Sequence, residues 1–270
     1  MTMPFDIVLV RHGQSEGNIA VKRSEKGDHS YFKDAKYVNR HNSDFRLTDL
    51  GINQAKSVGL WLRENGFANF DRYYVSQFVR ARETAALLDL EDARWFVDIN
   101  LRERDWRELD NLSDEDRRAR FEDSYRQQKL NALYWCPPNG ITLADLLIRL
   151  CIVICTLHRE CEHFKVVMVC HGEVMWMLRY YLERMSQERF LELESSKNPL
   201  DRIHNCQIIH YTRRSLSGDG SLFNRFERVR SMCPWDTTKS RNEFEHIVRP
   251  NFTNEELLAN VIKYPPIIEG

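Results

Sequence analysis

The stretch Ile7-Val8-Leu9-Val10-Arg11-His12-Gly13-Gln14-Ser15-Glu16-Gly17-Asn18 decides the fold of this 270-residue chain. Its first four residues form an apolar and largely β-branched run, which predicts a short buried strand. The run ends abruptly at Arg11-His12-Gly13, so the strand delivers polar side chains at its carboxyl end. Open α/β sheets place their ligands at that edge, and we therefore expect a ligand site at residues 11 to 13.

A second apolar strand ends in the same way. The segment 166–170 is the clearest strand pattern in the chain, and His171-Gly172 follows it directly, ahead of a helical segment at 174–184. One histidine at a strand end is most often structural. Two of them at one sheet edge, with Arg11 beside the first, instead favour a binding site for an anion.

Strands and helices alternate along the first hundred residues. A helix capped by Thr48 is followed by a strand at 72–76, a helix at 79–88 and a strand at 95–98, and a further strand pattern lies at 207–211. This alternation is typical of a largely parallel sheet with helices on its faces. We predict an α/β fold, a three-layer α/β/α sandwich with a mostly parallel central sheet.

The same patterns outline the organisation of the chain. Residues 1–212 are predicted to form one catalytic domain. It carries a polar insertion loop at about 20–46, which reaches over the strand end as a lid, and a charged helical insertion at about 104–140. A long apolar helix capped by Thr142 follows. Residues 213–270 are predicted to be an irregular extension packed on the same domain.

The polar residues of these segments offer the three functions that phosphoryl transfer needs. The transferred group requires cations around its oxygens, a nucleophile in line with the leaving oxygen, and a proton donor for that oxygen. Arg11 and Arg80 supply planar guanidinium donors, and His12 and His171 supply imidazoles. Glu103, in a turn-like Leu-Arg-Glu-Arg segment after the third strand, supplies a carboxyl group.

The segment from Val10 to Asn18 resembles the signature that opens the histidine phosphatases and the cofactor-dependent phosphoglycerate mutases. Further pieces occur in the order of that superfamily: Leu47-Thr48-Asp49-Leu50-Gly51 with Gln54-Ala55, the stretch from Ser76 to Thr84 with Arg80-Ala81, Leu101-Arg102-Glu103, and Cys170-His171-Gly172. The resemblance spans residues 5 to 212 and implies a phosphoglycerate mutase-like fold.

Carried onto this chain, the resemblance implies that His12 attacks phosphorus and becomes the phosphohistidine. Arg11, Arg80 and His171 would complete the pocket, and Glu103 would protonate the leaving group and later activate water. Further phosphoryl contacts are implied for Gly13, Ser15 and Asn18. A neutral imidazole is a competent nucleophile near pH 7, so this chemistry calls for no metal and no cofactor.

Three of these assignments have structural alternatives. Ser15 could cap a turn instead of binding phosphate, and Arg80 could form a surface ion pair with a nearby glutamate such as Glu83. The role of Glu103 could fall to one of two neighbouring carboxylates, Asp105 and Glu108.

The chain departs from the superfamily pattern at three places. Gln77 stands where relatives often have a proline, which is predicted to change only the loop. Arg107 stands where relatives commonly have glycine, so either a cation projects near the pocket mouth or the loop is reshaped. Ile141-Thr142 replaces a common Glu-Ser pair, which removes a polar contact near the site.

Three other enzyme classes lack their signatures here. A cysteine phosphatase needs an arginine six residues after its cysteine, and none of the seven cysteines has one. A P-loop nucleotide enzyme needs a phosphate-binding glycine-rich loop that ends in Lys-Ser or Lys-Thr, and the chain lacks one. Neither the His-Glu-x-x-His nor the Cys-x-x-Cys spacing of zinc sites occurs.

Three functions remain open within the resemblance. We favour a metal-independent phosphomonoesterase acting on a small phosphorylated metabolite, because the charged segment 104–139 does not resemble the insertion that phosphoglycerate mutases carry after the glutamate motif. A mutase-type phosphotransferase is the first alternative. The second is a phosphate-binding regulatory module that lost turnover, which Arg107 and Ile141 suggest.

Composition limits the partners and the location. The chain has 39 Lys and Arg residues and 40 Asp and Glu residues, so its net charge is close to zero and does not attract nucleic acid or an anionic membrane. The first residues lack the pattern of a signal peptide, and no apolar stretch reaches the roughly 20 residues of a membrane span. These features predict a cytoplasmic protein with reduced thiols. They leave the oligomeric state open.

Basic residues in or beside the predicted lids suggest a substrate with additional negative charge, such as a sugar phosphate or a nucleotide. The alternative is that they are solvated loop charges. These residues are Lys22, Arg23, Arg40, Arg46, Arg102, Arg104 and Arg107.

Overall fold

Seven strands form one central sheet in the computed structural model, which describes residues 2–268. They are β1 (Asp6–Arg11), β2 (Arg72–Ser76), β3 (Trp95–Asp98), β4 (Lys165–Cys170), β5 (Ile208–Thr212), β6 (Arg228–Met232) and β7 (Arg241–His246). Their order across the sheet is β3-β2-β4-β1-β5-β6-β7. The first four in that order are mutually parallel, and the other three continue the sheet in antiparallel pairs.

Helices lie on both faces of this sheet, which confirms the predicted α/β fold. Within the described residues they are α1 (Glu16–Ser24), α2 (Ala35–Val38), α3 (Asp49–Glu64), α4 (Val79–Leu87), α5 (Asp114–Arg120), α6 (Glu122–Leu130), α7 (Leu143–Glu160), α8 (Gly172–Glu183), α9 (Gln187–Ser195) and α10 (Asn254–Val261). None of them is long and apolar enough to cross a membrane.

The side chains of β1 divide between two cores. Ile7 and Leu9 pack into the core that α7, α8 and α9 cover, whereas Val8 and Val10 pack into the core that α3 and α4 cover. Successive side chains of a strand point to opposite faces, so a strand that is covered on both faces is apolar throughout. The carboxyl ends of β1 and β4 are therefore fixed in the middle of the molecule.

Five strands lie where the sequence patterns predicted them, to within one residue at each end. The expectation of irregular structure after residue 212 is wrong, because β6 and β7 extend the sheet beyond β5 and α10 follows them. Both added strands are rich in charged residues and partly exposed. Their sequences therefore lack the apolar run that identifies a central strand.

The first predicted insertion contains more regular structure than the expected loop, and the second is helical as predicted. The segment 20–46 includes the end of α1 and the whole of α2, and the stacked rings of Tyr37 and Phe45, 4.7 Å apart, give it a small core of its own. The segment 104–140 contains α5 and α6. Ordered structure of this kind can hold side chains in defined positions beside the strand ends.

Candidate active site

The parallel pairing of β1 with β4 brings the two predicted histidines together. Arg11 lies opposite Cys170 in the register, and the backbone N–H of His12 donates to the carbonyl oxygen of Cys170 over 3.0 Å. The imidazole rings of His12 and His171 have their centroids 5.1 Å apart, and both side chains are buried. The two strand ends thus place a pair of histidines at the carboxyl edge of the sheet.

His12 presents an unprotonated ring nitrogen in this pocket. Its Nδ1 lies 2.7 Å from the carbonyl oxygen of Gly13, so Nδ1–H donates there, and Nε of Arg80 donates to its Nε2 over 3.2 Å. Burial lowers the pKa of His12 well below its usual value, and the charges of Arg80 and Arg11 act in the same direction. The imidazole is therefore neutral near pH 7, with its lone pair on Nε2.

Arg80, in the first turn of α4, is buried and connects His12 to the first insertion. Its Nη1 donates to the carbonyl oxygen of Asn42 over 2.7 Å. Burial lowers the pKa of Arg80 to about 10, so the guanidinium stays charged at neutral pH. The alternative of a surface ion pair with Glu83 is wrong, because Glu83 pairs with Arg46 over 2.5 Å.

Two buried polar atoms at this edge, Nε of Arg11 and Nδ1 of His171, have no hydrogen-bond partner among residues 2–268. Arg11 donates through Nη1 to the carbonyl oxygen of Ile203 over 2.6 Å, and Nε2 of His171 lies 2.7 Å from the hydroxyl of Ser76. Buried polar atoms are nearly always paired in folded proteins. Nε of Arg11 and, when it carries the ring proton, Nδ1 of His171 are thus donors without an acceptor beside His12.

Burial also lowers the pKa of His171 well below its usual value, and the charge of Arg80 and the nearby His12 add to this effect. Both imidazoles at the strand ends are therefore neutral near pH 7. Negative charge brought into the pocket is met by the two guanidinium groups, those of Arg11 and Arg80.

Gly13 serves close packing in the loop after β1. Its backbone N–H donates to the hydroxyl of Thr84 over 3.0 Å, so this N–H is already engaged. A Cβ on Gly13 would lie 2.4 Å from the carbonyl oxygen of Gly51, and the loop accepts no side chain there. The described cavity wall includes neither Gly13 nor His171. It does include Arg11, His12, Ser15, Asn18, Arg80 and Glu103.

Ser15 and Asn18 form a reciprocal capping box at the start of α1. The N–H of Ser15 donates to Oδ1 of Asn18 over 3.2 Å, and the N–H of Asn18 donates to Oγ of Ser15 over 3.4 Å. Asn205 donates through Nδ2 to the carbonyl oxygen of His12 and to Oδ1 of Asn18. Ser15 thus acts as a helix cap, and Asn18 keeps its amide NH2 group for a ligand.

Glu103 lines the same cavity as His12. Its two carboxylate oxygens accept from the backbone N–H groups of Arg104, at 3.0 Å, and Glu173, at 3.4 Å. These contacts hold the carboxyl group near the strand ends. Among the described residues, the cavity wall includes neither of the two competing carboxylates, Asp105 and Glu108.

Glu173 is a residue of the cavity wall that the sequence patterns did not reveal, although it directly follows the second histidine-glycine pair. It accepts from Nε1 of Trp106 and pairs with Nη2 of Arg104, each over 3.0 Å. Burial raises the pKa of Glu173 to about 7, against the charge of Arg104 and together with the nearby carboxylate of Glu103. Its sequence position alone carries no signal, because acids are common in the first turn of a helix.

A cavity of about 440 Å³ extends from His12 toward the two insertions. One end holds the catalytic candidates, and the remaining wall combines aromatic rings with charges of both signs. The first insertion contributes Tyr37 and Phe45, and the second contributes Tyr125, Asp110 and Arg117. A phosphorylated molecule with a small organic group fits a cavity of this size and lining.

The expectation of a polyanionic substrate rests on seven basic residues of the loops, and this cavity does not support it. None of the seven is among the described residues that line the cavity. Carboxylate partners neutralise most of them, four at the protein surface and one, Arg104, in a buried pair. Five form ion pairs, which are Arg23–Asp28, Arg40–Glu16, Arg46–Glu83, Arg104–Glu173 and Arg107–Asp105.

The departures from the superfamily pattern leave the histidine and arginine cluster unaltered. Arg107 adopts a φ of +41°, the left-handed region that glycine favours, and its exposed side chain pairs with Asp105 at 2.9 Å. Ile141 packs against the core, and Thr142 caps α7 in a capping box. The cation at position 107 therefore does not reach the cavity.

The comparison of the sequence with known families agrees with this geometry. The model of the Histidine phosphatase superfamily (branch 1) matches residues 7–208. The chain belongs to the histidine phosphatase superfamily. This superfamily member is 31% identical over 204 residues to a 2,3-bisphosphoglycerate-dependent phosphoglycerate mutase of Nitrobacter hamburgensis. The aligned region covers 70% of this chain and 86% of the relative.

Solved structures of the histidine phosphatase superfamily share the fold. The alpha-ribazole phosphatase from Shigella flexneri superposes with a TM-score of 0.60 and 17% identity, covering 82% of this chain and 95% of that one. A phosphoserine phosphatase from Entamoeba histolytica, in complex with 3-phosphoglyceric acid, superposes with a TM-score of 0.56 and 20% identity, covering 77% and 90%. Identities this low establish the fold and leave the reaction to be argued from the site.

The cysteines and the other residues that commonly bind metals are not grouped in this histidine phosphatase superfamily member, as far as the structure describes it. The seven cysteines are all unpaired thiols. Within residues 2–268, no group of three or more His, Cys, Asp or Glu side chains stands close enough together to hold a metal ion.

Proposed function

We propose that this chain is a phosphomonoesterase of the cytoplasm, which hydrolyses a small phosphorylated metabolite through a phosphohistidine on His12 without a metal ion. One observation carries the proposal. The unprotonated Nε2 of His12 lies beside Arg80 in a buried cluster with Arg11 and His171, at the end of a cavity that Glu103 also lines. A neutral nucleophile surrounded by cations is the arrangement that accepts a phosphoryl group.

The first step transfers the phosphoryl group to the enzyme. Nε2 of His12 attacks phosphorus, the N–P bond forms, and the bond from phosphorus to the leaving oxygen breaks. Glu103, protonated in this step, gives its proton to the leaving oxygen, so a neutral alcohol departs. Arg11 and Arg80 stabilise the charge on the phosphoryl oxygens, and the carbonyl oxygen of Gly13 keeps the ring oriented through Nδ1–H.

The second step returns the enzyme to its starting state. The carboxylate of Glu103 takes a proton from water, the oxygen of that water attacks phosphorus, and the N–P bond to His12 breaks. Inorganic phosphate leaves, and Glu103 is protonated again for the next cycle. Both steps are proton and phosphoryl transfers, so they need no oxidant or reductant.

The cavity lining supports hydrolysis over phosphoryl transfer between carbon positions. A mutase must hold a bisphosphorylated intermediate, and its second phosphate needs cations as the first one does. Beyond Arg11 and Arg80, the described wall offers one further cation, Arg117, together with the carboxylates of Glu25, Asp110, Asp114 and Glu173. A second phosphate would therefore meet little compensating charge.

The mutase remains the second candidate, because the relatives that are about 30% identical carry that name. Incubation with 3-phosphoglycerate, with and without 2,3-bisphosphoglycerate, distinguishes the two reactions. We expect phosphate release without accumulation of 2-phosphoglycerate. Isomerisation that outruns phosphate release would replace the phosphatase proposal with the mutase.

The test of the nucleophile is phosphate release from a panel of phosphomonoesters in EDTA. We expect the wild type to remain active and the His12→Ala variant to lose activity by about a thousandfold or more, since catalysis through a covalent intermediate ends with its nucleophile. The control is His158→Ala, which removes an exposed histidine of α7.

A phosphoenzyme trapped by rapid quenching should be stable in base and labile in acid, as a phosphohistidine is, and absent from His12→Ala. Substantial turnover in His12→Ala would remove His12 from the proposed role. Phosphate binding without any phosphoenzyme or product would instead favour the regulatory module.

A further inference from the structure

Among the charged residues of the described cavity wall without a role in the steps above, two from the second insertion have opposite signs and form no ion pair. They are Asp110, which precedes α5, and Arg117, in the middle of α5. Both belong to the second insertion, so neither is part of the strand ends that hold the catalytic cluster. What they contact decides what kind of leaving group the cavity accepts.

Asp110 lies within two hydrogen bonds of the phosphoryl pocket. Asn42 connects them, because its carbonyl oxygen accepts from Nη1 of Arg80 over 2.7 Å and its Nδ2 donates to Oδ1 of Asp110 over 3.1 Å. Oδ2 of Asp110 makes no hydrogen bond within the described part of the chain. A leaving group of a few carbon atoms, attached to a phosphoryl group at Arg80, can therefore reach this carboxylate.

Arg117 is the one arginine of the described cavity wall besides Arg11 and Arg80, which the phosphoryl group occupies, and like them it has no carboxylate partner. Within residues 2–268 it forms no ion pair, and its buried Nε has no hydrogen-bond partner. The next residue, Arg118, is paired with Asp114 at 2.9 Å. Arg117 thus brings a guanidinium without a carboxylate partner to the cavity wall, where the carboxylate of a ligand can pair with it.

Asp110 and Arg117 do not form an ion pair with each other within 4 Å, although both line one cavity. Tyr37 of the first insertion lines the same cavity, and burial raises its pKa to about 12, so its hydroxyl stays neutral. Two opposite charges that remain apart across a small cavity recognise a ligand that carries both complements.

We propose that the leaving group is zwitterionic, with an ammonium group that Asp110 binds and a carboxylate that Arg117 binds, so that O-phospho amino acids are the substrate class. This inference rests on the proposed function and specifies its substrate. The phosphoryl group occupies Arg11, Arg80 and His12, and the amino acid portion extends along Asn42 toward the second insertion.

A matched series of substrates tests the inference on the wild type. O-phosphoserine carries both groups, 3-phosphoglycerate replaces the ammonium with a hydroxyl, and O-phosphoethanolamine lacks the carboxylate. Each missing charged hydrogen bond should lower kcat/KM by about tenfold to a hundredfold relative to O-phosphoserine. Para-nitrophenyl phosphate, which has neither group, reports the phosphatase reaction by itself.

Two variants then assign each preference to its residue. Asp110→Asn should reduce the advantage of O-phosphoserine over 3-phosphoglycerate, and Arg117→Gln should reduce its advantage over O-phosphoethanolamine. The matched controls are Asp123→Asn and Arg126→Gln on α6, whose side chains are 88% and 71% exposed and pair with each other. The controls should leave both ratios as in the wild type.

Two outcomes would overturn the zwitterion inference while the phosphatase stands. One is a wild type that hydrolyses para-nitrophenyl phosphate but prefers 3-phosphoglycerate or O-phosphoethanolamine to O-phosphoserine. The other is a pair of ratios that neither Asp110→Asn nor Arg117→Gln changes. Circular dichroism of both variants establishes that they are folded.

Binding measurements separate this inference from the proposed reaction. If no substrate is hydrolysed, the phosphatase proposal fails by itself, and calorimetric titration of the non-reacting His12→Ala variant still compares the Kd of O-phosphoserine with those of the other two ligands. Tighter binding of O-phosphoserine would support the inference. Equal binding of the three ligands would contradict it.

Discussion

At the residue scale, two contacts select the reactive nitrogen of His12. The carbonyl oxygen of Gly13 holds the proton on Nδ1, and Arg80 donates to the lone pair of Nε2. Arg80 also helps burial to lower the pKa of the imidazole, so the nucleophile needs no deprotonation near pH 7. One guanidinium thus orients the nucleophile, keeps it neutral and supplies charge for the phosphoryl oxygens.

The role of Glu103 as proton donor can be tested at the same scale. Glu103→Gln should lower kcat/KM for an alkyl phosphate by about a hundredfold to ten-thousandfold, because an alkoxide leaves poorly without a proton. The loss for para-nitrophenyl phosphate should be far smaller, since nitrophenolate leaves unaided. The matched control is Glu108→Gln, whose carboxylate is outside the described cavity wall. Equal losses for both substrates would contradict the assignment.

At the element scale, the nucleophile loop depends on close contact between two pieces of backbone. The loop after β1 packs against the first turn of α3, where Thr48 donates through its backbone N–H to the carbonyl oxygen of Gln14 over 2.9 Å. A Cβ on Gly51 would lie 2.1 Å from that same oxygen. The two glycines, Gly13 and Gly51, are required because no side chain fits between the loop and the helix.

Gly51→Ala should therefore displace the loop and affect both stability and catalysis. We expect a loss in the free energy of unfolding on the order of 1 to 3 kcal/mol, as for other overpacked sites, and a fall in kcat, because His12 is the first residue of the same loop. Chemical denaturation and steady-state kinetics measure the two effects. Lys56→Ala, at an exposed position of α3, is the control. An unchanged stability would show that the contact is not tight.

At the scale of the whole molecule, a buried polar cluster connects the parallel and antiparallel parts of the sheet. Asp6, at the start of β1, accepts from Nε2 of His210 at 3.0 Å and pairs with Arg214 at 2.9 Å. Arg230 of β6 donates to Nδ1 of His210 over 3.2 Å. The segment after residue 212 is thus attached to the central strand that carries His12, and β6 and β7 belong to the same folded unit.

Asp6→Asn should weaken this connection in a pH-dependent way. Burial by itself would raise the pKa of Asp6, but the hydrogen bonds from His210, Thr212 and Arg214 outweigh it and lower the pKa to about 2. A lowered pKa stabilises the folded state above the pKa of the unfolded chain, and this stability is lost as pH falls toward 2. The variant should therefore unfold more easily at pH 7 by about 2 kcal/mol.

The difference in the free energy of unfolding between wild type and Asp6→Asn should become smaller between pH 4 and pH 3, because the wild type itself loses the contribution of the Asp6 charge there. Urea denaturation at pH 7, 4 and 3 measures it. Asp89→Asn, at a side chain that is 91% exposed, is the control and should show no such change. A difference that does not depend on pH would mean that the charge of Asp6 does not stabilise the fold.

The parts of the site that sequence reasoning predicted are those that follow strands. Arg11, His12 and His171 end apolar strands, and Arg80 and Glu103 follow the next two, so strand patterns and the superfamily resemblance locate them together. The cavity residues of the insertions could not be located in this way, because a charged helix has the same sequence pattern whether it faces a cavity or solvent.

The sequence by itself determined the central strands, the α/β fold and the order of the catalytic residues, because these depend on apolar runs and motifs within a few neighbouring residues. Only the tertiary structure decided which charges meet. Arg104 contacts Glu173, 69 residues away. Arg117 forms no ion pair within the described residues, although it shares a cavity wall with Asp110. Such pairings have no local signature, since they arise when separate elements pack, and they determine what the cavity can bind.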